Sequence, residues 1–355
     1  MPAVIRKREQ RISDAPAVKL GPRGPFPDAP MRRVLERRWL HYAFLSADNE
    51  LGLVANVAHL GPPPDQPHLG TRCTSILLLH KRDRGWRASD FNAETYTPLW
   101  SAFQQPHPIG TPGSFELASK AGPVSVRLQL ERSSHPCTSQ CAPFATNQHL
   151  RWQSETGVIA KGRWQYSNET FENVEAVGYH ERVRGYWGWP ELGGWVFGFA
   201  NDPDRSTHAP PVAVVFTLIQ PLSPLDAATA SVMLWRHGRL VRHFPRRRVN
   251  VAVAGEVDKV HIRQVPALSN LLGVPPMETV PRRLLIQAAM GSDWVLLDFL
   301  CEDVARVVIP SETSIAPFSV HEVIGPVFVK GRIGGKGFAF ETRGIVEFAG
   351  GAGGD

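Results

Sequence analysis

Short apolar or alternating runs, each bounded by Gly, Pro, Asn or Asp, recur along almost the whole chain, whereas long stretches with helical periodicity are scarce. Typical runs are LGLVANVAHL, VSVRLQLE and VAVVFTLIQ. Alternation with a period of two indicates a strand with one buried face, and the bounding residues are those that form turns. Closely spaced strands joined by hairpin-like turns favour a β-barrel or β-sandwich over alternating strands and helices. We therefore expect an all-β protein.

The length of the chain, 355 residues, suits two domains with separate cores. A polar, proline-bounded break, NDPDRSTHAPP at Asn201–Pro211, interrupts the strands, and a similar number of strand-like runs lies on either side. This pattern predicts tandem β domains at residues 37–205 and 206–349, and no residue-level repeat is evident between them. The basic, proline-rich residues 1–36 and the glycine-rich residues 350–355 predict a flexible lead-in and a flexible tail.

Composition excludes several classes of protein. The apolar fraction of 43% and charged fraction of 20% are typical of a soluble globular chain. No apolar run approaches the roughly 20 residues that span a bilayer, and the N-terminus lacks the apolar core of a secretory signal. We expect a cytoplasmic protein with no membrane span; peripheral membrane contact and oligomeric state stay open.

The net charge of +6 raises the question of an anionic partner. The densest basic run, Arg236–Arg248, alternates Arg with Leu, Val and Phe, which is typical of a strand with one solvated face. No nucleic-acid recognition motif accompanies the charge, so we expect no nucleic-acid partner.

Metal and cofactor motifs are weak. Cys137 and Cys141 lie near His135 and His149, but this spacing lacks the paired knuckles of a structural zinc site. The sequence also lacks a phosphate loop, a dinucleotide fingerprint, a serine-nucleophile elbow and a metal-binding helix motif. We therefore expect neither a metal nor a cofactor.

The segment Gly178–Phe199, GYHERVRGYWGWPELGGWVFGF, places titratable groups directly before a dense run of aromatic residues. Charged side chains are rarely buried unless they are paired or used, so His180, Glu181, Arg182 and Arg184 are candidate catalytic residues. Aromatic walls around them would suit a hydrophobic small-molecule substrate. The candidate substrate-binding aromatic residues are Tyr179, Tyr186, Trp187, Trp189 and Trp195.

Strand alternation places His180, Arg182 and Arg184 on one face and Glu181 on the other, so His180 and Glu181 are not expected to share a proton. An imidazole titrates near neutral pH and suits general acid–base catalysis, although a structural histidine bonded to a backbone carbonyl fits equally. A guanidinium can hold a carbonyl, enolate or carboxylate, or it can lie on a solvated face. Glu181 is either a functional acid or a salt-bridge partner.

Carboxylates in the second half could complete an inter-domain cavity. Asp293 and Asp298 lie in GSDWVLLDF, and Asp298 interrupts an apolar strand. A satisfied buried Asp is the alternative interpretation.

Three blocks of sequence resemble the carotenoid 1,2-hydratase/AttH-like family, which includes Diels-Alderase-type cyclases. They are RRWLHYAFLSADNELGLVANV with Trp39 in the aromatic position, GRWQYSNETFENVEAVGYHERVRG, and GKGFAFETRGIVEF, in which Glu341 is the matching acid. The resemblance implies two tandem lipocalin-like antiparallel β-barrels. It also implies a cofactor-free enzyme that hydrates an isolated alkene or cyclises a hydrophobic terpenoid or polyketide.

The chain departs from the family in one block. Many members read His-Asp-His-Asn-Trp-Gly where this chain has His180–Gly185, so Arg182 replaces the second histidine and Arg184 replaces the tryptophan. Two cations would oppose a developing carbocation, which favours a cyclase or isomerase, possibly pericyclic, in natural-product biosynthesis.

Two alternatives to the cyclase remain open. An alkene hydratase requires a buried, protonated acid at Glu181, Asp298 or Glu341. A carrier of lipophilic ligands requires only an apolar lumen. The sequence does not identify the substrate.

Overall fold

The computed structural model describes residues 36–61, 72–94, 113–118, 123–145, 148–186, 192–221, 229–265, 280–309 and 318–351. Within these ranges the chain consists of β-strands and two single 3₁₀ turns, at Arg246–Arg248 and Lys259–His261. The all-β expectation is therefore confirmed. In the same residues, no helix has the length and apolarity needed to cross a bilayer.

The first sheet has nine strands in the described residues, all paired antiparallel. Its spatial order is β4-β3-β2-β1-β9-β8-β6-β5, and β7 also pairs with β8. The strands are β1 (Glu36–Ser46), β2 (Leu51–Gly61), β3 (Arg72–Lys81), β4 (Gly85–Glu94), β5 (Gly113–Ala118), β6 (Val124–Glu131), β7 (Cys137–Ala145), β8 (Gln148–Tyr166) and β9 (Glu169–Tyr186).

The second sheet has eleven strands in the described residues, in the order β13-β12-β11-β10-β20-β19-β17-β16-β14, with β18 on β19 and β15 parallel to β18. Both sheets curl into half-barrels. The strands are β10 (Leu192–Asn201), β11 (Val212–Pro221), β12 (Thr229–Arg236), β13 (Arg239–Pro245), β14 (Val249–Glu256), β15 (Ile262–Gln264), β16 (Pro281–Met290), β17 (Asp293–Leu300), β18 (Asp303–Ile309), β19 (Phe318–Ile333) and β20 (Lys336–Gly351).

The two sheets divide the chain earlier than the sequence indicated. Strand β10 pairs with both β11 and β20, so it belongs to the second sheet. The chain therefore passes from one sheet to the other between Tyr186 and Leu192. The break at Asn201–Pro211 instead connects β10 to β11 within the second sheet, because a polar, proline-bounded loop closes a strand connection as readily as it links two domains.

Apolar side chains form three clusters. One fills the first sheet and includes Phe44, another fills the second and includes Leu297, and the third lies between the sheets. The third cluster draws Ala43 and Tyr179 from the first sheet and Phe199 from the second. Because neighbouring residues in a strand face opposite ways, β1, β9, β10 and β20 are buried on both faces, which positions them to carry a buried site.

The strand pair β1/β9 in the first sheet has a counterpart in β10/β20. In the register, His41 lies opposite Glu181 and Phe197 lies opposite Glu347. Each of these β1 and β10 residues follows a tryptophan by two positions, within WLHYAF and WVFGFA, and each acid ends a Gly-x-x-Glu step, within GYHE and GIVE. A short residue-level repeat therefore exists, and it is not evident from the sequence alone because its two parts lie far apart in each half of the chain.

Glycine in this step allows the paired strands to approach closely. A Cβ added at Gly178 would lie 1.8 Å from the carbonyl oxygen of Ala43, and one at Gly344 would lie 2.9 Å from that of Phe199. Both distances are below ordinary contact, so each position suits glycine, and Gly178 requires it.

Candidate functional site

A cluster of buried polar residues lies where β1, β8 and β9 meet β10, β19 and β20. His41, Ser154 and Glu181 come from the first sheet, and Glu322 and Glu347 come from the second; all five are buried. Three carboxyl groups and an imidazole between two apolar sheets are costly to bury unless they are paired or functional. We call these five residues, together with Tyr179, the inter-sheet cluster.

Two side chains bind Glu181, and a third binds one of those two. Its Oε2 lies 2.7 Å from the Tyr179 hydroxyl, which also lies 2.7 Å from Ser154 Oγ. The indole N–H of Trp39 donates to Glu181 Oε1 at 3.2 Å. Burial raises the pKa of Glu181 to about 7, because desolvation and the charge of Glu347 outweigh these hydrogen bonds.

Glu347 occupies the equivalent position in the second sheet, and the indole N–H of Trp195 donates to its Oε1. Its neighbour across β19 is Glu322, to which it is hydrogen-bonded. Burial, and then the charges of Glu347 and Glu181, raise the pKa of Glu322 well above its usual value. Glu322 therefore carries the proton in this hydrogen bond.

His41 connects the two acidic groups. It lies opposite Glu181 in the register, and the edge of its ring packs on Phe197 with centroids 5.6 Å apart. Its Nε2 is buried and has no hydrogen-bond partner among the described residues. Burial lowers the pKa of His41 despite the charge of Glu347, so the imidazole is neutral near pH 7.

The described residues contain one group with the spacing of a metal site: His41, Glu322 and Glu347, whose ligand atoms lie within 4.8 Å of one another. The hydrogen bond between Glu322 and Glu347 needs a proton, and a protonated carboxyl oxygen is a poor ligand. The geometry is therefore that of a proton-sharing pair. In the segment considered for zinc, which begins β7, burial raises the pKa of the Cys137 thiol, and the side chain of Cys141 lies outside the described residues.

Two tryptophans cover the cluster. The rings of Trp39 and Trp195 stack with centroids 5.9 Å apart and an interplanar angle of 27°. Both are half-buried, and their indole N–H groups point to Glu181 and Glu347 respectively. The tryptophan pair thus places an apolar, electron-rich surface directly beside the two acids.

The structure places His180 and Arg182 on the opposite face of β9 from Glu181. His180 stacks on Tyr42 with centroids 4.2 Å apart, and its Nδ1 lies 2.9 Å from the carbonyl oxygen of His41. Arg182 also interacts electrostatically with Tyr42, and burial lowers the pKa of its guanidinium. Arg184, further along this face, is exposed.

The acids predicted in the second half do not join the cluster. Asp298 forms a salt bridge with Arg283 at the surface, with 2.7 Å between Oδ1 and Nε, because its side chain faces away from the core of the second sheet. Asp293 is buried, but Arg242 and the backbone N–H of Gly334 bind it. Glu341 is exposed.

Some predicted aromatic residues cannot be placed. Trp187, Trp189 and the side chain of Tyr186 lie outside the described residues. Tyr179 belongs to the inter-sheet cluster and Trp195 borders it, as their strand positions require.

Sequence reasoning missed His41, Glu322 and Glu347. Two signals were present: a glutamate inside the apolar run SVHEVIGPVFV, and the matching GYHE and GIVE steps. Neither indicates which strands pair, so the meeting of the three residues depends on the fold.

A scan against protein-family models gave no match, and neither did a search of curated proteins. Among solved structures, the chain is similar to a protein of Nitrosomonas europaea described as a candidate AttH, with 14% sequence identity and a TM-score of 0.57. The similarity covers 89% of this chain and 92% of that one. At this identity the likeness shows the fold alone, and it confirms the expected AttH-like architecture of two lipocalin-like β-barrels.

Proposed function

We propose that the protein is a cofactor-independent cyclase or isomerase that acts on a hydrophobic terpenoid or polyketide intermediate, and that Glu181 donates a proton to the substrate. The observation that carries this proposal is the carboxyl group of Glu181, buried between the sheets with its pKa raised to about 7. A general acid works best when its pKa lies near the ambient pH, and a well-placed one accelerates proton transfer by about 10²- to 10⁴-fold.

The surroundings of Glu181 support this role. Tyr179 and Trp39 hold the two carboxyl oxygens, so the acid has a fixed orientation. The stacked rings of Trp39 and Trp195 can pack on an apolar substrate and stabilise developing positive charge through their faces. Arg182 and Arg184 would oppose a carbocation that formed near them. They lie on the other side of β9, however, whereas the tryptophans lie beside Glu181.

Glu181 takes over the proton-donor role that the sequence suggested for His180. The imidazole of His180 is stacked on Tyr42 and bonded to a backbone carbonyl, which is the structural alternative considered for it. Arg182 lies on the inner face of the first sheet, away from a substrate beside Glu181, so it has no part in this proposal.

Alkene hydration is the second candidate, because it needs the buried, protonated acid that Glu181 provides. In hydration, water adds to the carbocation, whereas in cyclisation or isomerisation the carbocation loses a proton.

A lipophilic-ligand carrier is the third candidate, and it requires only an apolar surface. A small apolar depression in the second sheet, lined by Val196, Phe216, Leu218 and their neighbours, has no titratable lining residue in the described part of the chain. The first sheet differs, because Glu155 and His180 are buried on its inner face.

The test is a metabolite profile of the producing organism with the gene intact, deleted, or carrying Glu181→Gln. The matched control is Glu175→Gln, on the same strand, where the side chain is 56% exposed. We expect deletion and Glu181→Gln to accumulate a precursor isomeric with the lost product, and Glu175→Gln to behave as wild type. A precursor lighter by one water would indicate a hydratase, and an unchanged profile would refute both enzyme proposals.

A further inference from the structure

We infer that His41, Glu322 and Glu347 form a second proton-exchanging group, which removes a proton from the substrate after Glu181 has added one. The inference rests on the proposed function and narrows it, since addition and removal of a proton together give a product isomeric with the substrate. We call these three residues the acceptor group.

The geometry of the acceptor group supports proton exchange. One nitrogen or oxygen atom of each side chain lies within 4.8 Å of those of the other two, and all three side chains are more than nine-tenths buried. Two atoms, His41 Nε2 and Glu322 Oε2, have no hydrogen-bond partner among the described residues. A neutral imidazole has one nitrogen lone pair that can accept a proton. The hydrogen-bonded carboxyl pair beside it has one proton that it can give.

In the described part of the chain, the charges that act on the pKa values of Glu322 and His41 are acidic. The electrostatic effects on Glu322 come from Glu347 and Glu181, and that on His41 comes from Glu347. Like charges this close cannot all be ionised, so the pair holds one proton and behaves as a unit.

Two cationic side chains on adjoining strands, Arg306 and Arg343, have other partners. Arg306 on β18 donates to Ser319 and acts on His321, which faces away from Glu322. Arg343 on β20 donates to Glu302 at 2.8 Å.

Glu181 and Glu347 occupy equivalent positions of the repeat but face different residues on the neighbouring strand. Glu181 faces Ser154 across β8, whereas Glu347 faces Glu322 across β19 at the equivalent position. The first half therefore presents a single acid, and the second presents an acid pair. Equivalent backbone positions thus carry the proton donor Glu181 and the proton acceptor Glu347.

The proposed steps balance without an added reagent. The O–H bond of Glu181 breaks as the π electrons of a substrate C=C bond form a new C–H bond, which leaves a carboxylate on Glu181 and a carbocation on the other carbon. A neighbouring C–H bond, or one exposed after a C–C bond has closed a ring, then breaks. Its electrons form a new C=C bond, and its proton passes to the carboxylate of Glu347 or to Nε2 of His41. His41, opposite Glu181 in the register, is placed to return the proton to Glu181.

The first experiment measures the shared proton directly in purified protein. Infrared difference spectra at pH 7 compare wild type with Glu322→Gln and Glu347→Gln, with Glu175→Gln as the exposed control. We expect a protonated-carboxyl C=O stretch that is altered in both cluster variants and unchanged in the control. If neither cluster variant changes such a band, or if elemental analysis finds one divalent cation per chain that is lost in both cluster variants, the inference is overturned.

The second experiment tests the role in the reaction. The precursor that accumulates on deletion is incubated in deuterated water and in ¹⁸O-water with purified wild type, Glu181→Gln, Glu347→Gln or His41→Phe. The last variant copies Phe197 of the second half. We expect Glu347→Gln and His41→Phe to lower the product by about 10²-fold or more, and wild type to incorporate deuterium but no ¹⁸O. Thermal denaturation of each variant checks that it folds.

The two proposals fail in different ways. If Glu181→Gln leaves the profile unchanged, the proposed function itself fails. If Glu181→Gln abolishes the product while folded Glu347→Gln and His41→Phe retain it, only the inference about the acceptor group fails. If ¹⁸O enters the product, water adds to the substrate, and both the isomerase and the acceptor group are contradicted in favour of a hydratase.

Discussion

Glu181 and Glu347 occupy equivalent positions in the two sheets, yet their surroundings differ. Each receives a hydrogen bond from a tryptophan indole, and each ends a Gly-x-x-Glu step. Glu181 is bonded to a tyrosine, whereas Glu347 is bonded to another glutamate. A repeated backbone can therefore place two acids side by side, and the residue across the next strand decides how each one holds its proton.

The largest expected effect separates the two glycines of the repeat. Gly178→Ala would place a Cβ 1.8 Å from a backbone oxygen, whereas the equivalent distance for Gly344→Ala is 2.9 Å. We expect Gly178→Ala to destabilise the protein by about 4 kcal/mol or more, and Gly344→Ala to cost clearly less. Urea denaturation measures both, and equal losses would contradict the tighter approach at β1/β9.

The pH dependence of stability should separate the two acids next. The unfolded carboxyl of Glu181 loses its proton near pH 4.5, whereas the folded one keeps it until about pH 7. The contribution of Glu181 is therefore complete below pH 4.5 and is lost as the pH rises through 7, a change of about 3 kcal/mol.

Glu181→Gln should remove this part of the slope, because glutamine does not titrate. Chemical denaturation at several pH values between 4 and 8 provides the measurement. An identical slope in wild type and variant would show that Glu181 ionises normally.

A smaller effect should come from Tyr179, whose counterpart in the second sheet is Ile345. Tyr179→Phe removes a hydrogen bond that lowers the pKa of Glu181, so that pKa should rise above about 7. We expect a stability loss of about 1 to 2 kcal/mol. Carboxyl titration by NMR follows the shift, and a lowered pKa would contradict the role given to Tyr179.

The smallest effect should distinguish the two tryptophans. Trp39→Phe removes a donor to Glu181, and Trp195→Phe removes a donor to Glu347. Each should cost about 1 kcal/mol, and only Trp39→Phe removes a hydrogen bond that lowers the pKa of Glu181. Denaturation and NMR titration of the two variants test this. Equal shifts in the pKa of Glu181 would contradict the claim that, of the two tryptophans, Trp39 alone binds that acid.

Much of the fold could be predicted from the sequence, because strand alternation and turn residues are local signals. The opposite facing of His180 and Glu181 follows from the same rule. The sheet to which β10 belongs could not be predicted, since a strand's partners lie far away in the chain. The site shows the same limit: Trp39 and Glu181 are 142 residues apart, and Trp195 and Glu347 are 152 apart.

The most direct test of the account is a carboxyl titration of protein labelled with ¹³C at the glutamate side chains. Wild type and Glu181→Gln are compared by NMR from pH 3 to pH 9, so that the resonance lost in the variant identifies Glu181. The account predicts that this resonance titrates with a midpoint of about 7. A midpoint near the ordinary glutamate value of about 4.3 would contradict the proposal that Glu181 is the proton donor.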